Sequence, residues 1–282
     1  MTELITALFL DIIFVVGVFA LLSYIGLYFM QDKILFEQPP LQIDTENWIS
    51  ETYPDSEIKI TTDSGIQLQG WLLKKSHSEK MPLIIYFGGH NQEVSGMAYH
   101  FERFVDCSFL LINYRGYGLS EGQPSEKNLF KDAETIYDKI IQRQDIDPNL
   151  IIAMGWSLGS GIAIHLAAHR PLKGVILVSP YDSLIRLAQH HFPFFPVKLL
   201  LKNHFNVITL APLITTPMLA LIAQEDTLIP PRHSYRLANN WGGFHEIQEI
   251  ENAKHHNILD NEIYWNAIRR FLVRLVSTTA QT

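Results

Sequence analysis

Ser157 is the residue around which chemistry could be organised. It sits in Gly155-Trp156-Ser157-Leu158-Gly159, after the apolar run Ile151-Ile152-Ala153-Met154 and before Gly161-Ile162-Ala163-Ile164-His165-Leu166-Ala167-Ala168. The first run reads as a short buried strand and the second as a helix lined all round by small and aliphatic residues. A Gly-x-Ser-x-Gly turn between strand and helix is so tight that glycine is needed at its shoulders. It lifts the serine hydroxyl above the sheet at a helix N-terminus, whose partial positive charge favours a developing anion. Such a serine is a candidate nucleophile, and it needs a base, an acid to orient the base, and N–H donors for an oxyanion.

In open sheets of mostly parallel strands, reactive groups gather past the C-terminal strand ends. Past the apolar run 218–223 come Glu225 and Asp226. Asp226 is the expected acid, because it lies one step further into the loop and Ile229-Pro230 packs the turn behind it; Glu225 is the alternative. Past the run 244–250 come His255 and His256, and either could be the base. The oxyanion donors are expected from Leu158 and from His90 or Asn91, since Gly88-Gly89 after the run 83–87 allow close backbone approach. The His90 side chain is expected to be incidental. A metal reading of His255-His256 lacks a third ligand at suitable spacing, so neither a metal nor a cofactor is expected. His190 and His191 are expected as lid residues rather than ligands.

These residues need a scaffold. Period-two alternation at 58–61 and 66–72, broken by Asp63-Ser64-Gly65, predicts an antiparallel hairpin at a sheet edge with one solvated face. Continuous apolar runs at 83–87, 109–112, 151–154, 175–178 and 218–223 predict strands buried on both faces. Helical patterns at 94–105, 125–143 and 160–169 separate them, and a last strand at 244–250 precedes a helix at 261–276. Alternating strands and helices imply an α/β domain of eight strands, mostly parallel, with right-handed crossovers.

The N-terminus differs from the rest. Residues 4–30 are hydrophobic, and 12–30 form 19 residues without a charge. A helix of that length spans ~28 Å, close to the hydrocarbon core of about 30 Å. Glu3 and Asp11 replace the basic start of a signal peptide, and no polar stripe marks a core helix. A single-pass membrane anchor is therefore expected, with Asp11 at its near edge and Tyr24 and Tyr28 near its far end. Lys33 leans the C-terminal domain towards the cytoplasm. A connector at 31–54 would follow, stiffened by Pro39-Pro40 and with Trp48 docking on the domain at 55–282. The net charge of −7 and the absence of a clustered basic face argue against nucleic-acid binding. The lone Cys107 excludes an internal disulfide and a cysteine metal cluster.

Four stretches resemble the α/β-hydrolase superfamily, and more narrowly the serine aminopeptidase S33-like bacterial hydrolases and their eukaryotic ABHD depalmitoylase relatives. They are Tyr86-Phe87-Gly88-Gly89-His90-Asn91, the loop Asn113-Tyr114-Arg115-Gly116-Tyr117-Gly118-Leu119-Ser120-Glu121-Gly122, the elbow 155–159, and Asn252-Ala253-Lys254-His255. The chain departs from the family pattern at Gly88, His90 and Lys254. The resemblance implies an α/β-hydrolase fold with a small helical lid at about 182–216, and it places the catalytic histidine at His255. It implies a membrane-anchored serine hydrolase acting on carboxylic esters or thioesters of small or lipid-like acyl groups. An amidase or aminopeptidase of the same fold, or an inactive membrane-anchored binding protein, is the alternative. Phe192, Phe194, Phe195, Val197, residues 199–201 and Phe205 are expected to give the lid an apolar lining. Glu93 and Glu121 are the carboxylates a peptidase could use to hold a substrate amine.

Overall fold

The computed structural model describes residues 2–75, 81–104 and 106–277. Eight strands form one sheet: β1 (Glu57–Thr61), β2 (Gln67–Leu73), β3 (Leu83–Phe87), β4 (Ser108–Ile112), β5 (Ile151–Trp156), β6 (Gly174–Val178), β7 (Met218–Ala223) and β8 (His245–Ile250), in the order β1-β2-β4-β3-β5-β6-β7-β8. β2 runs antiparallel to β1 and β4, and every later pairing is parallel. The register pairs Phe87 with Gly155 and Trp156 with Val178, so the C-terminal ends of β3, β5 and β6 lie side by side. That edge is where an open parallel sheet presents its loops.

Continuous apolar strands bury both faces, and each face is covered. Ile85, Leu110, Ala153 and Leu177 pack under α3 (Glu126–Ile140), α4 (Leu158–His169) and α7 (Pro231–Ala238). Ile84, Phe109, Ile152 and Ile176 pack under a 3-10 helix (Val94–Arg103) and α8 (Glu262–Ser277). A slip of one residue would exchange these two sets, each side chain having its own partners, so register is strongly held.

Two local readings change, and one is sharpened. The helical stretch from 94 is a 3-10 helix whose apolar residues Val94, Met97, Ala98 and Phe101 line one buried face. Its expected end at Val105 lies outside the described residues. The hairpin is solvated on one face only along β1. In β2, Leu68 through Leu73 are all buried, because β4 pairs with its far edge and Ile49 joins Trp71 and Leu73 in one apolar cluster. Ile49 belongs to α2 (Ile43–Thr52), a helix inside the stretch read as a connector. Trp48 of α2 lies against Tyr99, with ring centroids 4.4 Å apart.

α1 (Thr2–Leu35) is one helix, and its stretch Ile5–Leu35 is long and apolar enough to cross a membrane. At ~1.5 Å per residue its 34 residues reach about 51 Å, well beyond a hydrocarbon core of about 30 Å. The surplus turns dock on the domain. Gln31 donates to the Leu200 carbonyl (3.1 Å) and accepts from the Lys202 N–H (2.7 Å), while Asp32 accepts from Asn203 (2.8 Å). Phe36, one residue past the helix, is buried in the core.

Between β6 and β7, in the stretch 182–216 read as a lid, the chain forms α5 (Leu184–His191) and α6 (Val197–Leu200). Phe205 is a correction: it is fully buried, packed edge-on against Phe130 of α3 at 5.2 Å, and so belongs to the core rather than a lid lining. Phe192 and Phe194 are exposed, Phe194 to 91%, while Phe195 is half-buried.

Candidate active site

Ser157 sits where β5 ends and α4 begins, with φ 53° and ψ −120°. A serine at positive φ is strained by about 1–3 kcal/mol and persists only where its surroundings hold it. Here its N–H donates to the Val178 carbonyl (2.9 Å), and its own carbonyl accepts from the Ser160 N–H (2.9 Å) and hydroxyl (2.7 Å). The flanking glycines are required by contact. A Cβ on Gly159 would fall 2.0 Å from the Phe87 carbonyl oxygen, and one on Gly155 2.2 Å from the Gly159 oxygen. α4 therefore rests directly on the backbone of β3, which brings Gly89 to the nucleophile: a Cβ there would lie 3.8 Å from the Ser157 Cβ.

Asp226 and His255 meet directly. The His255 Nδ1–H donates to Asp226 Oδ2 at 2.7 Å, and both side chains are almost wholly buried. The other oxygen of Asp226 accepts from the N–H groups of Leu228 (3.0 Å) and Ile229 (2.8 Å), so the carboxylate is fixed at both ends. With Nδ1 carrying the proton, Nε2 is left as an acceptor. The His255 ring stacks against Trp156, next to Ser157, at 5.8 Å. The rival residues Glu225 and His256 are exposed. The loops after β7 and β8 are joined by the Glu225 N–H donating to the Ala253 carbonyl (2.8 Å).

The loop after β3 is held by groups the motif reading did not assign. Tyr114 donates to the Gly88 carbonyl (2.8 Å), Tyr117 donates to the His90 carbonyl, and Gln92 accepts from the Gly89 N–H (3.0 Å). Turning these carbonyls onto tyrosines leaves the His90 N–H without a protein partner among the described residues. The Leu158 N–H, first in α4, has no intrahelical acceptor either. The signal for the tyrosines was present in the 113–122 loop, whose Arg115 forms a two-pronged pair with Asp132 at 2.5 and 2.7 Å. Burial lowers the His90 pKa; Glu37 opposes this, and His255 and His256 add to it.

A strained serine near an imidazole oriented by a buried carboxylate is suited to nucleophilic acyl transfer. The two carboxylates considered for holding a substrate amine are otherwise occupied. Glu93 is buried and accepts from Asn113 Nδ2 (2.7 Å) and the Ser95 N–H (3.2 Å); Glu121 accepts from the Gln67 N–H (3.0 Å). As for metal ligands, Glu134, His165 and His169 offer atoms within 4.8 Å of one another on the far side of α4. Arg170 already sits 3.1 Å from Glu134 there, a positive charge that opposes a cation.

The lid is tied to this framework. His191 donates from Nε2 to the Leu228 carbonyl (2.8 Å), in the loop that holds Asp226. His190 lies against Arg232. At the lid's base the fully buried Asp182 accepts from His233 Nδ1 (2.8 Å), Arg236 (2.8 Å) and the Ser183 N–H (2.8 Å). Burial alone would raise its pKa, but these bonds outweigh it and pull the value down to about 2. A depressed carboxylate contributes stability above its unfolded pKa of about 3.9 and loses it as pH falls towards the folded value. Asp182→Asn should therefore cost about 2 kcal/mol at neutral pH. Urea titrations carried down through this window should show a shallower acid loss in the variant than in the wild type.

The family model described as "Serine aminopeptidase, S33" matches residues 78–202. An uncharacterised protein of Mycobacterium tuberculosis is 30% identical over 223 residues, covering 77% of this chain and 78% of its own. The α/β hydrolase domain-containing protein WAV2 of Arabidopsis thaliana is 26% identical, covering 85% and 88%. An uncharacterised membrane protein of Saccharomyces cerevisiae is 28% identical, covering 89% and 92%. Among solved structures, an esterase of Pyrococcus furiosus superposes with a TM-score of 0.66 at 17% identity, over 85% of this chain and 97% of its own. Sheet order, the serine elbow between β5 and α4 and these relatives agree: the chain belongs to the α/β-hydrolase family.

Proposed function

We propose that this chain is a membrane-anchored serine hydrolase that cleaves carboxylic esters or thioesters. The observation that carries the reading is the buried Asp226–His255 pair, whose imidazole stacks on Trp156, the residue preceding the strained Ser157. In the mechanism, Ser157 Oγ attacks the acyl carbonyl carbon while His255 Nε2 takes the hydroxyl proton. The resulting oxyanion is held by the Leu158 and His90 N–H groups, with the Asn91 N–H as the neighbouring donor on the same loop. The intermediate collapses as imidazolium His255 gives that proton to the departing alcohol or thiol, leaving an acyl-enzyme. Water, deprotonated by His255, then attacks the acyl carbon; the second collapse returns the proton to Ser157 and releases the carboxylic acid. Asp226 holds the tautomer and stabilises the imidazolium.

Esters are favoured over peptides because Glu93 is buried and spent on Asn113 and Ser95, which removes it as an anchor for a substrate amine. α1 supports anchoring, and the yeast relative is named as a membrane protein. By the charge rule, Lys33 at the end of α1 favours a cytoplasmic hydrolase domain. The test uses the full-length protein in detergent with p-nitrophenyl esters, acyl thioesters and aminoacyl amides. Turnover of the esters or thioesters, with the amides refused, is the expected result. Cleavage of the amides with both acyl series ignored would replace this reading with the aminopeptidase one.

A further inference from the structure

A cavity of about 300 Å³ lies between α1 and the lid, near the lower bound of small-molecule sites. Leu27 and Ile34 of α1 form one wall; Leu187, Phe195 and Leu200 of the lid form the other; His90, next to the proposed oxyanion donors, also lines it. We infer that α1 is a wall of the substrate pocket as well as an anchor, and that the substrate is a long-chain acyl ester or thioester whose chain enters sideways from the bilayer between α1 and the lid. The inference rests on the hydrolase reading for its chemistry, but on separate observations for its geometry.

The pocket has little to offer a polar ligand. Gln31 is spent on Leu200 and Lys202, and His191 on Leu228, which leaves His90 and the Tyr28 phenol among side chains that could hydrogen-bond to an occupant. An apolar occupant is thus the one that loses nothing on entry. From Leu27 to Leu35 the helix wall runs about 12 Å, room for an extended chain rather than an acetyl group. The pocket also meets lipid. Tyr24, inside the uncharged stretch of α1, touches Phe195 edge-on at 5.0 Å, which sets the lid tip at bilayer depth. At that depth the exposure of Phe194 (91%) and Leu199 (83%) needs no protein partner, because acyl chains cover them. At the other end, His90 lines the pocket and directly follows Gly89, where a Cβ would lie 3.8 Å from the Ser157 Cβ.

The test is made on full-length protein reconstituted in phosphatidylcholine vesicles, comparing wild type with Ile34→Trp. Ile34 is 58% exposed, so the larger ring fills the groove without entering the core. The ratio of palmitoyl-ester to butyryl-ester turnover should fall about tenfold or more in the variant, the equivalent of ~1.4 kcal/mol. Palmitoyl ester placed in the enzyme's own vesicles should be cleaved faster than the same ester supplied in separate vesicles. An unchanged ratio, or equal rates from both sources, would overturn the inference while leaving the hydrolase reading intact. A binding arm is independent of turnover: in Ser157→Ala, a diazirine-bearing palmitate should label Leu187 and Phe195, and Ile34→Trp should remove that labelling. Labelling confined to the outer face of α1, such as Phe14 and Phe19, would overturn it whatever the enzyme assays show.

Discussion

Ser157→Ala is expected to abolish labelling by a fluorophosphonate probe and to lower acyl turnover by ~10⁴-fold or more, with the protein still folded. The separation of activity from folding follows from local geometry. Alanine keeps the Cβ and therefore the same backbone cost at φ 53°, and the N–H and carbonyl of residue 157 keep their partners Val178 and Ser160. The Ser157 hydroxyl makes no side-chain capping bond to α4, so its removal opens no unsatisfied group there. A thermal melt should place the variant within ~1 kcal/mol of the wild type, as for a substitution that creates neither a cavity nor a lone buried polar atom. Equal probe labelling of both proteins would show that the reactive residue lies elsewhere.

The second large effect is expected at Asp226. In Asp226→Asn, the amide oxygen still accepts from the Leu228 and Ile229 N–H groups. The amide nitrogen then faces His255 Nδ1 and donates to it, which moves the imidazole proton to Nε2, where it can no longer accept from Ser157. Turnover at neutral pH should fall by about 10³- to 10⁴-fold with the fold preserved. Glu225→Gln and His256→Asn, changes at exposed side chains outside this pair, should leave turnover within about twofold. If Glu225→Gln proved as damaging as Asp226→Asn, the assignment of the acid would be wrong; kcat/KM on one ester, measured for all four proteins, decides it.

What the chain disclosed in advance, and what it withheld, divides along contact distance. Ser157 and Asp226 stood out as candidates because each follows a continuous apolar run, and a strand buried on both faces announces itself by composition; His255 follows the mixed, half-buried strand β8 and stood out by residue type alone. Choosing Asp226 over Glu225 by position in the loop agrees with the burial seen. Choosing His255 over His256 needed the likeness to relatives, since adjacent histidines in one loop differ only by which way the turn points them. The turn itself rests on Asn252 at φ 55° and on Asn257 accepting from the Lys254 N–H, features no composition shows. Helix type at 94–103 was not readable because the same i, i+3, i+4 pattern fits an α- or a 3-10 helix with one buried face. Phe205 was misplaced for another reason. Its surroundings in sequence are lid-like, and only its neighbour Phe130, on a helix far away in the chain, makes it core. The role of Gln31 was invisible for the same reason: its lid partners Leu200 and Lys202 lie 169 and 171 residues onward.

The bond from His191 to the Leu228 carbonyl has a practical corollary. The N–H of that same Leu228 peptide residue grips Asp226, so α5 and the acid share one short hinge of backbone. Lid and reaction centre are therefore not interchangeable parts. A chimera carrying a relative's lid inherits a foreign grip on its own carboxylate, and exchanging lids to redirect selectivity would disturb catalytic rate unless residues 226–229 travel with them.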